Sequence, residues 1–138
     1  MRTVKLVAVT AAACIFLALI AIIPTRILFD GAEGYVFYTG NTSKDYKEVA
    51  SENPSATRLT LFNISGECAS YDEVDLDELL KRFNGKVVFT EELDDSINYY
   101  CKADLPYSVN LYGEEINLHV CYRPDGVKVA SPIIFGGY

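Results

Sequence analysis

A chain of 138 residues, half of them hydrophobic, has room for one domain of ordinary size and a short appendage. The formal net charge is −7, and setting aside Arg2, Lys5 and Arg26 beside the one long apolar run leaves nine basic against nineteen acidic residues, or −10. So acidic a remainder excludes a nucleic-acid partner and is not drawn to anionic lipid, which leaves neutral or basic partners.

The apolar run is Leu6 to Ile23, eighteen residues without a charge, with Arg2 and Lys5 before it and Pro24 and Arg26 after it. A run of that length reads as a membrane span or a signal sequence. Basic residues on its N-terminal side, and Asp30 and Glu33 beyond it, place the N-terminus in the cytoplasm and the remainder outside. The leading reading is a retained anchor, hence a single-pass cell-membrane protein with an extracytoplasmic C-terminal domain. Cleavage after the small-residue site around Ala32-Glu33-Gly34, giving a secreted domain, is the alternative. The division is 1–30 for the anchor or signal and 31–138 for a single domain.

Tyr35 to Thr39 is a run of strand formers closed by Gly40-Asn41. Residues 41–56 are polar and interrupted by Pro54, which predicts a surface connection with one helical turn around Lys44 to Val49. A second strand is expected over Thr57 to Ile64, with Ser65-Gly66 bending or bulging it before Glu67 to Ser70 continues. The strongest helix signal follows. Asp75 is placed as N-cap with Glu78 three residues on, Leu76, Leu79, Leu80 and Phe83 recur at helical spacing, and Asn84-Gly85 is the stop. Lys86 to Thr90 predicts a strand, Glu91 to Ser96 an acidic turn, and Ile97 to Ala103 the returning strand.

The last third alternates most regularly. A turn at Gly113-Glu114 pairs Leu111 with Ile116 and Val109 with Leu118, and one at Asp125-Gly126 pairs Tyr122 with Val129 and Val120 with Ser131. In that register Tyr107, Val109, Leu111, Ile116, Leu118, Val120, Tyr122, Val127, Val129 and Ile133 share one face. Ser108, Asn110, Asn117, His119, Cys121, Arg123 and Lys128 share the other, which is expected to meet solvent. The expected fold class is α+β: an antiparallel β-meander with one helix packed on its apolar face, preceded by the N-terminal apolar helix.

Candidate chemistry is sparse. Cys68 and Cys101 are a candidate disulfide in an oxidising exterior, with buried free thiols the alternative, and Cys121 falls on the opposite side of the meander from Cys101. His119 and Cys121, two residues apart on one face, outline a thiol and base pair without an orienting acid or oxyanion hole. Asp94-Asp95, Glu91-Glu92 and Glu114-Glu115 lack the alternating spacing of a calcium loop, and no cofactor or metal is expected. Asn41-Thr42-Ser43 and Asn63-Ile64-Ser65 fit the glycosylation acceptor pattern. Tyr100, Tyr112, Asn117, His119 and Arg123 form the candidate recognition surface, because tyrosine offers area with a polar tip, although it is also simply a good strand former.

The segment Ile116 to Arg123, followed by Ala130-Ser131-Pro132-Ile133-Ile134 and a terminal Tyr138, resembles the end of the YwmB family. The resemblance implies a secreted or membrane-attached protein in a Gram-positive setting and an α+β fold likened to the TATA-box-binding protein, and it brings no established enzymatic role and no catalytic residues. Ala130-Ser131 stands where that family's pattern has a Gly-Thr pair. The expected function is a non-enzymatic module that meets an unidentified protein or cell-wall partner and is held at the membrane through residues 6–23. Two alternatives remain: a small extracytoplasmic hydrolase or thiol enzyme using His119 and Cys121, and a cystatin-like protease inhibitor suggested by the helix-plus-meander outline.

Overall fold

The computed structural model of the chain describes residues 1–22, 27–41 and 44–136, so Ile23, Pro24, Arg26, Thr42, Ser43 and Tyr138 of the readings above lie outside it. Helix α1 (Arg2–Ile22) carries the apolar run, is long and apolar enough to cross a membrane, and buries none of residues 2–19 against the domain.

The domain is α+β, as expected, but its sheet is larger than a consecutive meander. Strand β1 (Gly34–Thr39) pairs antiparallel with β2 (Lys47–Ser51), where a helical turn was expected. Helix α2 (Pro54–Thr60) then occupies the start of the expected second strand. Asn53 caps it, accepting from the Ala56 N–H, and Pro54 sits at the first helical position, where its missing N–H costs nothing. The strand proper is β3 (Ile64–Tyr71), with a register shift against β1 at Tyr38/Thr39 beside Gly66. A side chain at Gly66 would meet the Ser131 carbonyl oxygen at 2.7 Å, so close strand approach requires glycine there.

Helix α3 (Leu76–Arg82) starts as read, with Asp75 accepting from the Glu78 N–H. It ends in a Schellman motif with Asn84, not glycine, in the left-handed region: Gly85 N–H reaches the Leu80 carbonyl and Asn84 N–H the Lys81 carbonyl. Strand β4 (Lys86–Leu93) runs three residues further than expected, because the acidic segment is mostly strand and only Asp94-Asp95 turns, and β5 (Ser96–Lys102) keeps its expected length one residue earlier. Charged Glu91 and Glu92 suit an outer strand that must not pair further.

Strands β6 (Val109–Leu111) and β7 (Glu114–Ile116) form a separate two-stranded sheet, and β8 (Leu118–Arg123) and β9 (Gly126–Ser131) return to the main one. Both hairpin registers differ from expectation by two residues. Tyr112 and Gly113 form the first turn, each with positive φ, so Val109 faces Ile116; Pro124 and Asp125 form the second, so Val120 faces Val129. A slip of two preserves parity, so Leu118, Val120, Val127 and Val129 reach the expected core while Leu118 pairs with Cys101 of β5 instead of Val109.

The order β2-β1-β3-β9-β8-β5-β4 divides the sheet into two groups of neighbouring chain segments joined only through β9. One face carries Phe37, Ala69, Cys101, Leu118, Val120 and Val129 under Leu76, Leu79, Leu80 and Phe83, with Phe29 edge-on to Phe83 at 5.8 Å. The other face, expected to meet solvent, is covered too. Ile133, Ile134 and Phe135 fold back over it together with Tyr38 and Tyr46, burying Cys68, Cys121 and Ala130. Leu111 and Ile133, assigned to the helix-covered face by alternation, belong to this one, because β6 is not in the main sheet and residues 132–135 have left strand geometry.

Candidate functional site

The antiparallel registers set Phe89, Tyr100 and His119 side by side across β4, β5 and β8 on the tail-covered face. Their rings stack in a row, with centroids 4.5 Å apart for Phe89 and Tyr100 and 4.4 Å for Tyr100 and His119, and planes within about 21°. The β6–β7 hairpin turn sets Tyr112 edge-on to Phe89 at 5.9 Å, 93% exposed. Between hairpin, strands and tail lies a cleft of about 280 Å³ lined by these four rings with Glu91, Leu111, Ile133 and Ile134. Tyr100 donates its hydroxyl to Glu91 at 3.2 Å, fixing one carboxylate oxygen on the wall.

His119 is 1% exposed, and both its ring nitrogens are engaged. The Ile134 N–H donates to Nδ1 at 3.1 Å, which makes Nε2 the protonated nitrogen; it donates to Asn98 Oδ1 at 2.9 Å, and Asn98 Nδ2 donates to Ser96 Oγ. Burial pushes the imidazole down to about 4, so it is neutral at physiological pH. The ring is thus a strut that gives the C-terminal segment a fixed acceptor. Cys121 has no imidazole nitrogen left to activate it, and burial raises its thiol. The thiol and base pair outlined by sequence is brought onto one face without the geometry of a nucleophile and its base.

The candidate recognition residues separate in the same way. Tyr100 and His119 line the buried floor of the cleft and Tyr112 its mouth. Asn117 is buried, its amide accepting from the Ala103 N–H and donating to the Ala103 carbonyl, so it closes a backbone gap beside β5 and is not a surface group. Arg123 sits at the far end of β8, paired with Asp95 at 3.4 Å and Asp125 at 3.6 Å. The turns at Gly113 and Asp125 therefore lie at different ends of β8 and make no common wedge of the kind a cystatin-like inhibitor presents. Phe89, Glu91 and Leu111 were missed by sequence reasoning; reading Lys86 to Leu93 as one strand was the available signal, though a register irregularity between Val87 and Phe89 blurs its parity.

All four cysteines are free. Cys68 lies under the tail and Cys101 under α3, so the candidate disulfide would have to pass through the sheet. Burial pushes Cys68 up to about 11 and Cys101 up to about 12, holding both as thiols. No group of three metal-ligating side chains occurs among the described residues.

A second polar cluster had no sequence signal. Glu67, fully buried at the margin of the helix-covered face, accepts from Arg58 Nη1 at 2.9 Å, from the Tyr35 hydroxyl at 2.7 Å and from the Leu28 N–H at 3.3 Å. Arg58 also donates to Tyr107 at 3.3 Å. One carboxylate thereby joins β1, β3, α2, the segment before β6 and the stretch that follows α1. Burial raises the Tyr35 phenol, with the negative Glu67 adding to it, so Tyr35 stays a donor.

Comparison of the chain with protein-family models, curated proteins and solved structures finds no match.

Proposed function

We propose that this chain is a non-enzymatic binding module held at the membrane by α1, with its domain outside the cytoplasm, and that it grips one apolar ring or side chain of a protein or cell-wall partner between Tyr112 and the Phe89–Tyr100 stack. The observation that carries this reading is the cleft itself: about 280 Å³, aromatic on two sides, with an almost fully exposed tyrosine poised on a turn at its mouth. Ring faces of this kind bind by area and desolvation, and Glu91 adds an acceptor that favours a hydroxyl or amino group on the bound moiety.

Two features support a binding role over catalysis. His119 is neutral, buried and engaged at both nitrogens, and burial raises the Cys68 and Cys101 thiols well above their ordinary values. The resemblance to the YwmB family adds an extracytoplasmic Gram-positive setting as part of this proposal.

The test replaces Tyr112 with a photo-crosslinking phenylalanine analogue in the full chain on intact cells, with Lys86 as the control position. Adducts specific to Tyr112 that are lost when Leu111→Asp is added are expected, with the chain fractionating with membranes. Equal adducts from both positions, or none from Tyr112, would end the proposal.

A further inference from the structure

Outside α1, the large apolar side chains that stand most exposed among the described residues are Tyr112 at 93%, Phe62 at 86% and Leu59 at 66%. Tyr112 belongs to the cleft. Leu59 and Phe62 do not: they sit three positions apart, one in α2 and one just beyond it. Their setting is unusual for so acidic a chain. From Asn53 to Gly66 there is no carboxylate, and the single charge, Arg58, is turned inward onto Glu67.

This neutral patch lies where the chain arrives from α1. Leu28 N–H and Arg58 bind the two oxygens of the same Glu67 carboxylate, so α2 and the incoming segment are pinned together. Ile27 and Leu28 already pack against the core, as do Leu61 and Ile64 on either side of Phe62. From Ile22, the end of α1, to Ile27 is five residue steps, which reach at most about 17 Å fully extended.

We infer that Leu59 and Phe62 rest in the interfacial layer of the lipid bilayer, a second contact that lays the domain on the membrane through α2. This contact presupposes the anchor role of α1 proposed above. Leucine and phenylalanine are residues that bury well at the boundary between head groups and acyl chains, and a membrane is the apolar surface that the short tether brings within reach. Charge agrees with the same side: the stretch from Asn53 to Gly66 presents no carboxylate to anionic lipid.

The chain contains no tryptophan, so a single one introduced by substitution reports its own surroundings. Phe62→Trp, Tyr112→Trp and Phe16→Trp variants of the full chain are reconstituted in phosphatidylcholine vesicles carrying bromine at shallow or deep acyl positions. Phe62 is exposed, so its replacement does not threaten folding. The expected result is that Phe16→Trp is quenched by deep bromines, that Phe62→Trp is blue-shifted and quenched severalfold more by shallow than by deep bromines, and that Tyr112→Trp is unquenched. Adding Leu59→Glu to Phe62→Trp should abolish the shallow quenching. If Phe16→Trp is quenched while Phe62→Trp behaves as Tyr112→Trp does, the anchor stands and the second contact is overturned. If Phe16→Trp is not quenched, the anchor reading falls and the contact with it. A blue shift of Phe62→Trp without bromine quenching that grows with protein density would mean that a second copy of the chain covers the patch, which also overturns it.

Discussion

The two faces of the main sheet are both buried, but by different means. Under α3 the contacts are aliphatic and aromatic, and the helix satisfies its own backbone, so docking needs only complementary apolar shape. Over the opposite face lies a C-terminal segment with no helix or strand of its own, and its backbone must find partners among side chains. His119 supplies one, accepting from Ile134 while Asn98 and Ser96 hold the ring in place. A cover with regular structure is thus located by packing, and a cover without it by directed hydrogen bonds. The same contrast explains why the only histidine lies deep in the molecule and not on a surface.

That contrast can be broken by truncation. Leu118→Ala should cost about 4 kcal/mol, the loss of a fully buried leucine with the cavity it leaves. On the other face, His119→Ala should cost about 3 kcal/mol, because Asn98 and the Ile134 N–H lose their partner together. Urea unfolding of both variants measures this; a His119→Ala loss below about 1 kcal/mol would mean the tail is not held by the ring.

Acidity should sharpen the comparison, because only the tail-covered face contains a buried imidazole. The folded protein holds His119 at about 4 against an ordinary 6.5, so between these values the unfolded chain binds the proton first. Stability is therefore full above about 6.5 and is lost progressively as the pH falls to about 4, with a contribution of about 2 to 3 kcal/mol. Glu91, Tyr100 and Cys121 lie beside His119 on this face, and their contributions are common to any variant at position 119. Comparing urea midpoints at several pH values, His119→Gln should show the shallower fall; an identical fall in both proteins would assign the acid sensitivity to carboxylates. On the helix-covered face the corresponding local device is the Asp75 cap. Asp75→Ala should cost about 1 kcal/mol, detected as a small drop in the thermal midpoint at neutral pH.

How much of this was legible follows the same division. The α3 cap and stop, the first strand and the parity of β8 and β9 were readable, since each depends on residues close in sequence. Helix α2 was hidden because Asn53-Pro54 reads as a break, although that pair also makes a cap followed by a first helical turn. Both hairpin registers moved by two because Tyr112, a poor candidate for positive φ, took the turn position beside Gly113, and Pro124-Asp125 turned one step earlier than Asp125-Gly126. The candidate recognition surface divided, with Tyr100, Tyr112 and His119 at the cleft and Asn117 and Arg123 elsewhere, for a different reason. Alternation tells which residues share a face but not whether a distant segment will cover it, and residues 132–135 carry no pattern that assigns them to His119. Glu67 was illegible on the same ground, as its partners Arg58, Tyr35 and Leu28 converge only through the fold.

The position of β9 has a consequence for how the chain is made. Residues 34–71 supply one half of the sheet and residues 86–123 the other, and residues 126–131 alone join them. Synthesis proceeds from the N-terminus, so both halves are complete while β3 and β8 still present open edges. Until the last strand arrives, each is a template for pairing with another chain. A chain cut after Asp125 would accordingly yield two half-sheets with open edges at β3 and β8 and no reduced version of the domain.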